Sequence, residues 1–475
     1  MAFSATVLGG AITIYIFLRL LLRYTQDAKE PLTILTSIPF LSPILGMAAR
    51  KTSFYAYSRD KYGLPIYILR LPGTRMYVVN STALITTVQR QFITLAFPPI
   101  ETRAAINVMG ASEAGKAMLM KNLDPKERNW DKGYAASYAK AIHPAMSPGP
   151  GLDAMNRVAI LKIAESLDTL RGQTPQIIMN LFSSLLAKES LVARKLMVDA
   201  FEQYFRKDGH KHGSALIKAR YDHSVSFNAS LNDIARFEIG GAVAIFANTG
   251  PAASWLIYHI HSDPMILSEI RSEVSKVVAY GPDESTIGIS NVKASCPILL
   301  STFQEVMRFR SIGTSARVVM EDHMLDGKYL LKKGATVMIP GAVQHSLPSV
   351  WGDNVAEFDH KRFIRSGTTK RPNPVAFRGF GGGTTLCPGR HFASTEILAF
   401  ASLMVLRFDI KPVGGKWMHA TAEQAEMWST VPLPDTDIAV EVTPRKGSDM
   451  SEKWKVIYSG SDKAMELSAE DMAGK

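Results

Sequence analysis

Apolar residues run almost unbroken from position 2 to 22, with Arg19 the only charge among them. About 20 such residues in a helix cross the hydrocarbon core of a bilayer. A cleaved leader would carry its basic residues in front of the apolar run, whereas Arg19, Arg23 and Lys29 come at its end or after it. The pattern therefore predicts an uncleaved anchor over 1–23, with the remaining chain on the cytosolic side. Pro31, Pro39 and Pro43 interrupt the next apolar stretch and predict a stiff, helix-breaking hinge over 24–48 in place of a second span.

Past the hinge the periodicity changes. Residues 66–71 and 76–79 flank Pro72-Gly73 and predict two strands of a small sheet. From about Trp130 to Arg308 apolar positions recur every three or four residues, which predicts helices separated by breakers at 147–151 and Asp263-Pro264. Residues 238–264, EIGGAVAIFANTGPAASWLIYHIHSDP, are apolar around the whole circumference, so this helix should run through the core and distort at Gly250-Pro251. Short strands, including 336–339, follow Arg308 before one more helix starts near Cys387. The end from Lys446 is polar and predicted peripheral, with an edge strand over 454–458. With no fixed-period repeat, 49–445 reads as one globular unit and 446–475 as a tail. Its class is α+β, mainly α with small sheets.

Composition narrows the setting. At 475 residues and 46% hydrophobic the chain is too apolar for a disordered protein. Lys and Arg total 54 against 43 Asp and Glu, a net charge of +11 that suits an anionic membrane surface or an acidic partner; no motif points to nucleic acid. Cys296 and Cys387 are the only cysteines, so no disulfide framework is expected and a reducing compartment is favoured, although the spacing leaves a single Cys296–Cys387 bridge open. The pairs His210/His212 and His259/His261 read as a solvated loop and a helix end, not as metal ligands.

One segment concentrates chemistry. In FGGGTTLCPGRH, 380–391, three glycines precede a rare cysteine. A helix opening after it would aim unpaired N–H groups at the sulfur and favour a thiolate, with Pro388 in the first helical turn. Glycines let the backbone approach a flat ligand, and Phe380 can cover one side of the loop. A merely structural thiol fits the spacing as well. Zinc does not fit, because Cys387 and His391 have no two further ligands nearby.

The run 380–390, FGGGTTLCPGR, resembles the haem-binding signature of cytochromes P450. That resemblance implies a helical haem domain, haem b with Cys387 thiolate as axial iron ligand, and Phe380, Gly381 and Gly389 shaping the loop. Thr385 stands where most of the family has a propionate-binding Arg or His. Glu305 and Arg308 in QEVMR lie at i and i+3 on one helix face and resemble the family's E-x-x-R pair, with Arg362 in FDHKRF as the third member of a buried charge network. His360 stands where many relatives have Pro. Arg317 matches an arginine that commonly binds a haem propionate. Thr249 takes the place of the oxygen-activating threonine on the distal helix, with Asn248 replacing the usual acid. Trp130 followed by Tyr134 departs from the family's W-x-x-x-R.

The ANTxPA pattern resembles the branch with sterol 7α-hydroxylases, prostacyclin synthase and fungal biosynthetic P450s. The implied activity is a membrane-anchored monooxygenase of the endoplasmic reticulum acting on a lipophilic steroid, terpenoid or secondary-metabolite intermediate. Electrons would come from NADPH through cytochrome P450 reductase, with cytochrome b5 as an allowed second donor. Two other readings stand beside it: a P450-type isomerase needing neither O2 nor reductase, which Asn248 motivates, and a non-catalytic haem scaffold.

Overall fold

The computed structural model describes residues 2–167, 188–282, 284–364, 372–427, 429–445, 453–458, 465, 468 and 471. The predicted helical stretch 130–308 and the tail from 446 therefore lie partly outside the described residues.

The apolar run forms helix Ala2–Thr25, within which Val7–Thr25 is long and apolar enough to cross a membrane at a mean hydropathy of 1.6. The chain then turns onto a five-stranded sheet whose order is Ile66–Leu71, Thr74–Val79, Thr336–Pro340, Thr314–Val319, Leu95–Ala96. The first two strands pair antiparallel around Pro72-Gly73, with Ile66 opposite Val79. Thr74–Val79 then runs parallel to Thr336–Pro340, so residues about 260 apart in sequence share one sheet. That pairing, inaccessible to local pattern, joins the two ends of the chain into a single unit.

The core lies among three helices. Leu231–His261 opens on Ser230, whose hydroxyl accepts from the Asp233 N–H at 3.0 Å, and the following helix Pro264–Ser275 opens on an Asp263 cap. Trp255, Leu256 and Ile260 of the long helix pack in one cluster with Leu299 and Phe303 of helix Pro297–Arg310 and Leu398 and Leu403 of helix Arg390–Arg407. Each such side chain contributes about 1.5–3 kcal/mol by leaving water. The helix is continuous through Gly250-Pro251, so the proline does not break it. Pro251 still removes one ladder donor, but it and Ala252 are buried and the next turns are locked into the core, holding α geometry across it.

Four expectations are corrected. Pro43, expected to break helix, opens one, Ser42–Arg50, because proline suits a first turn. The hinge is tied to the sheet: Ile34 N–H donates to the Ile68 carbonyl at 3.1 Å and Ile68 N–H to Leu32 at 2.8 Å. His210 is buried, its ring stacked on Tyr221 at 3.7 Å, instead of lying in a solvated loop. The tail is not merely peripheral: the expected edge strand forms, Lys453–Ile457 pairing parallel with Glu284–Gly288 in a three-stranded sheet, but Asp471 also reaches the helix behind Cys387. Both cysteines are free, so the bridge left open does not form.

Candidate active site

Residues 380–390 form a tight loop in front of helix Arg390–Arg407. Gly381 has φ +80°, and a Cβ there would meet the Thr385 carbonyl oxygen at 2.6 Å, so the turn accepts only glycine. Residues Gly383–Thr385 make one 3-10 turn, after which the Cys387 N–H returns to the Phe380 carbonyl at 2.8 Å. The Phe380 ring lies 6.4 Å from that of Phe303 and ties the loop to the core. Pro388 sits in the turn just before the helix, not in its first turn, because helical geometry begins only at Arg390.

Burial pushes the Cys387 thiol up, while the Gly389 N–H bonded to the sulfur and the Arg390 charge pull it down. Burial outweighs the other two, so the Gly389 N–H at the sulfur does not by itself favour thiolate. A metal ion that coordinates a thiol removes its proton outright.

Above the loop, strand Thr314–Val319 brings Arg317 into contact with it. Arg317 is buried and donates from Nη2 to the Thr385 and Thr384 hydroxyls at 3.0 and 3.3 Å, while its Nε has no partner among the described residues. Burial, and then the charge of Arg378, lower its pKa to about 10. Arg378, also buried, lies against the same loop: its Nη2 donates to Ser315 Oγ at 3.1 Å, and a Cβ on Gly382 would meet its Nη1 at 2.6 Å. With its amide turned to satisfy both neighbours, Gln89 accepts from Gly383 N–H at 2.9 Å and from Arg378 Nη1 at 3.1 Å. Sequence reasoning missed Arg378 and Gln89. Arg378, inside 377–380, FRGF, adjoins the signature and could have been flagged; Gln89, in helix Thr82–Arg90, carries no local signal.

Asn248 and Thr249 are both half-buried on the long helix, and neither side chain hydrogen-bonds a described residue. Thr249 therefore does not make the bond to the carbonyl one turn back that a helical threonine usually finds; Ser254, by contrast, donates to Gly250 at 3.0 Å. The turn 244–247 is exposed, Phe246 at 74%, although both flanks of this helix are buried.

Glu305, Arg308 and Arg362 meet in one buried network. Arg308 donates from Nε and Nη2 to the Glu305 carboxylate at 2.7 and 2.6 Å. Its remaining N–H groups reach the carbonyls of His345, Val355 and Glu357. Arg362 Nε bridges both Glu305 oxygens at 3.1 and 3.2 Å, and its other donors go to Trp351, Asn354 and Glu357. Each guanidinium thus has a partner for all five donors. His360 pairs with Glu269 at 2.8 Å. Tyr134 heads helix Tyr134–Met146 and bonds Ser224, while Trp130 lies in a separate 3-10 turn. His259 and His261 do close their helix and are buried there, and no cluster of metal-ligating side chains occurs among the described residues.

A glycine-built cysteine loop, with buried arginines beside it and a buried E-x-x-R network in the same fold, defines a haem-thiolate class of protein. The Cytochrome P450 family model matches residues 217–435. The chain is 32% identical to cytochrome P450 monooxygenase nodJ of Hypoxylon pulicicidum, across 94% of this chain and 95% of that one. It is also 28% identical to 25-hydroxycholesterol 7-alpha-hydroxylase of Rattus norvegicus over 44% of this chain and 53% of the relative. A bifunctional cytochrome P450/NADPH–P450 reductase of Alternaria alternata is 25% identical over 43% of this chain and 18% of its own length. The chain belongs to the cytochrome P450 family. It is a P450 monooxygenase, an oxidoreductase of the haem-iron type, and its relatives include members of the sterol 7α-hydroxylase branch.

The residues fit that cofactor on their own chemistry. A free cysteine with a backbone donor on its sulfur suits an iron thiolate, and two buried arginines flanking the loop suit two propionates. The unpartnered Arg317 Nε is a buried donor that a carboxylate would satisfy.

Proposed function

We propose that this P450 oxidises a lipophilic steroid- or terpenoid-like substrate, of the kind found in fungal secondary metabolism, while anchored by its first helix in the endoplasmic reticulum membrane. Cys387 would hold the iron of haem b, and Arg317 and Arg378 its propionates. The second arginine answers the departure at Thr385, where the side chain accepts a bond from Arg317 in place of supplying a charge. A bound haem supplies the oxygen chemistry, and a thiolate ligand favours O–O cleavage.

The chain's own part is proton handling and positioning. The observation that carries the reading is the Thr249 hydroxyl, half-buried on the long helix and bonded to no described residue. A hydroxyl with both lone pairs and its proton uncommitted could accept from a water and relay a proton from it into the site. Asn248 beside it can hold that water but cannot ionise, so the proton must come through solvent. The free hydroxyl favours oxygen activation over rearrangement of a peroxide, which has no use for it. The apolar turn 244–247 faces substrate and excludes water. Electrons from NADPH arrive through a reductase, a partner that the relative from Alternaria carries on the same chain. The net charge of +11 suits an acidic flavin domain or the acidic face of cytochrome b5.

The test is the reduced carbon monoxide difference spectrum of the purified protein, followed by turnover with reductase and NADPH. A thiolate-type red-shifted Soret band and a product heavier by one oxygen are expected. A Soret band without that shift would remove Cys387 as ligand. Product formed with no NADPH consumption would favour the isomerase, and undiminished biological activity of Cys387→Ala would favour the scaffold.

A further inference from the structure

We propose that Asp471 is a positioning residue for the Cys387 ligand, holding the iron's reduction potential down by neutralising Arg390. The proposal rests on the reading of Cys387 as the axial ligand. Arg390 is the first residue of the helix behind the cysteine. Its Nη2 donates to Asp471 Oδ1 at 2.7 Å, and its Nε lies 3.2 and 3.1 Å from Oδ1 and Oδ2. The same guanidinium donates from Nη1 to the Cys387 carbonyl at 3.3 Å. The carboxylate, the guanidinium and the backbone of the ligand therefore form one connected chain.

Three features make this more than a surface ion pair. The two side chains are only 19% and 13% exposed, so water screens their charges weakly. The guanidinium engages both carboxylate oxygens, the strong and directional form of the contact. The backbone of Asp471 is also tied down, since its N–H donates to Oγ of the buried Ser468 at 3.1 Å. Two other basic groups are near: His391 Nε2 lies 3.9 Å from Asp471 Oδ1, and Lys293 bonds Thr395 Oγ1 at 2.9 Å on the next turn. Asp471 lies outside the 217–435 segment that the family model matches.

A cation bonded to the ligand's own carbonyl stabilises an added electron on the iron–sulfur unit and raises its potential; an anion against that cation cancels the effect. The sign of each substitution follows. Asp471→Asn leaves Arg390 uncompensated, and the ferric/ferrous midpoint should rise. Arg390→Gln removes the cation bonded to the ligand's carbonyl, and the midpoint should fall. The double variant should return toward the parent value.

The experiment is an equilibrium redox titration of the parent holoenzyme and the three variants, each checked first for the thiolate-type carbon monoxide band. Absence of that band in the parent would overturn the ligand reading, which separates its failure from that of this proposal. With the band present, opposite shifts of the two single variants support the proposal. An Asp471→Asn midpoint that is unchanged or lowered overturns it, as do two single variants shifting the same way, the pattern of a merely structural tether. If Asp471→Asn fails to take up haem, Arg390→Gln decides alone: a lowered midpoint supports the proposal, and an unchanged or raised one overturns it.

Discussion

Thr249 and Asn248 show how much a single side chain changes the chemistry open to this site. Both are half-buried on the helix that crosses the core, and neither side chain hydrogen-bonds a described residue. Thr249→Ala removes the only one of the two that can both donate and accept through one oxygen, while leaving packing nearly intact. Product formed per NADPH should fall by an order of magnitude or more, and hydrogen peroxide should rise in its place; a positioned proton donor contributes about 10²–10⁴ in rate. Asn248→Asp introduces an ionisable group at the neighbouring position, and the solvent isotope effect on turnover should change with it. Cys387 and Thr249 were legible in the sequence because each sits in a short signature. Gln89 was not, because nothing local marks a glutamine as bonded to a loop about 300 residues away.

At the scale of elements, the charge network shows the reach and the limit of spacing arguments. Glu305 and Arg308 could be paired from i, i+3 alone, since one helix turn brings them together. Arg362 needed the family resemblance, because the segment carrying it folds back from 57 residues away. In the fold Glu305 is fully buried and faces two guanidinium groups. Glu305→Gln should therefore leave both cations under-compensated, at about 3–5 kcal/mol for breaking a buried pair. The expected outcome is loss of haem incorporation and a lowered unfolding midpoint, measured by haem content and thermal melting. A variant with normal haem content and reduced turnover only would put the network in catalysis instead of in folding.

For the whole molecule two expectations follow from burial. His223, His261 and His345 are buried, and desolvation lowers their pKa values to about 4, 4 and 3. Below the ordinary value of about 6.5 the unfolded chain binds these protons and the folded chain does not. Stability therefore rises with pH from about 4 to 6.5 and is lost as pH falls through that window, by up to about 1.4 kcal/mol per pH unit for each histidine. Thermal midpoints across pH 7.5 to 5 should fall steadily. A flat profile would mean that these imidazoles reach solvent. The second expectation concerns the anchor. Deleting 2–22 keeps Thr25, whose carbonyl and hydroxyl receive Arg75 and Arg70 at 2.7 and 2.8 Å, and so spares the sheet contact. The truncated enzyme should move from the membrane to the soluble fraction with its carbon monoxide band unchanged.

The sequence by itself determined what depends on short range. Hydropathy fixed the apolar helix Ala2–Thr25, period marked strands at 66–71 and 336–339, spacing paired Glu305 with Arg308, and the family resemblance singled out Cys387 and Thr249 as candidates. Tertiary structure decided what depends on distant segments meeting. Only the packed fold brought Arg378 and Gln89 to the cysteine loop, buried His210, kept the helix continuous through Gly250-Pro251, and carried Asp471 across 81 residues to Arg390. The division has one physical cause. Local geometry follows from residues a few positions apart, but the burial of a charge depends on neighbours that chain order does not encode.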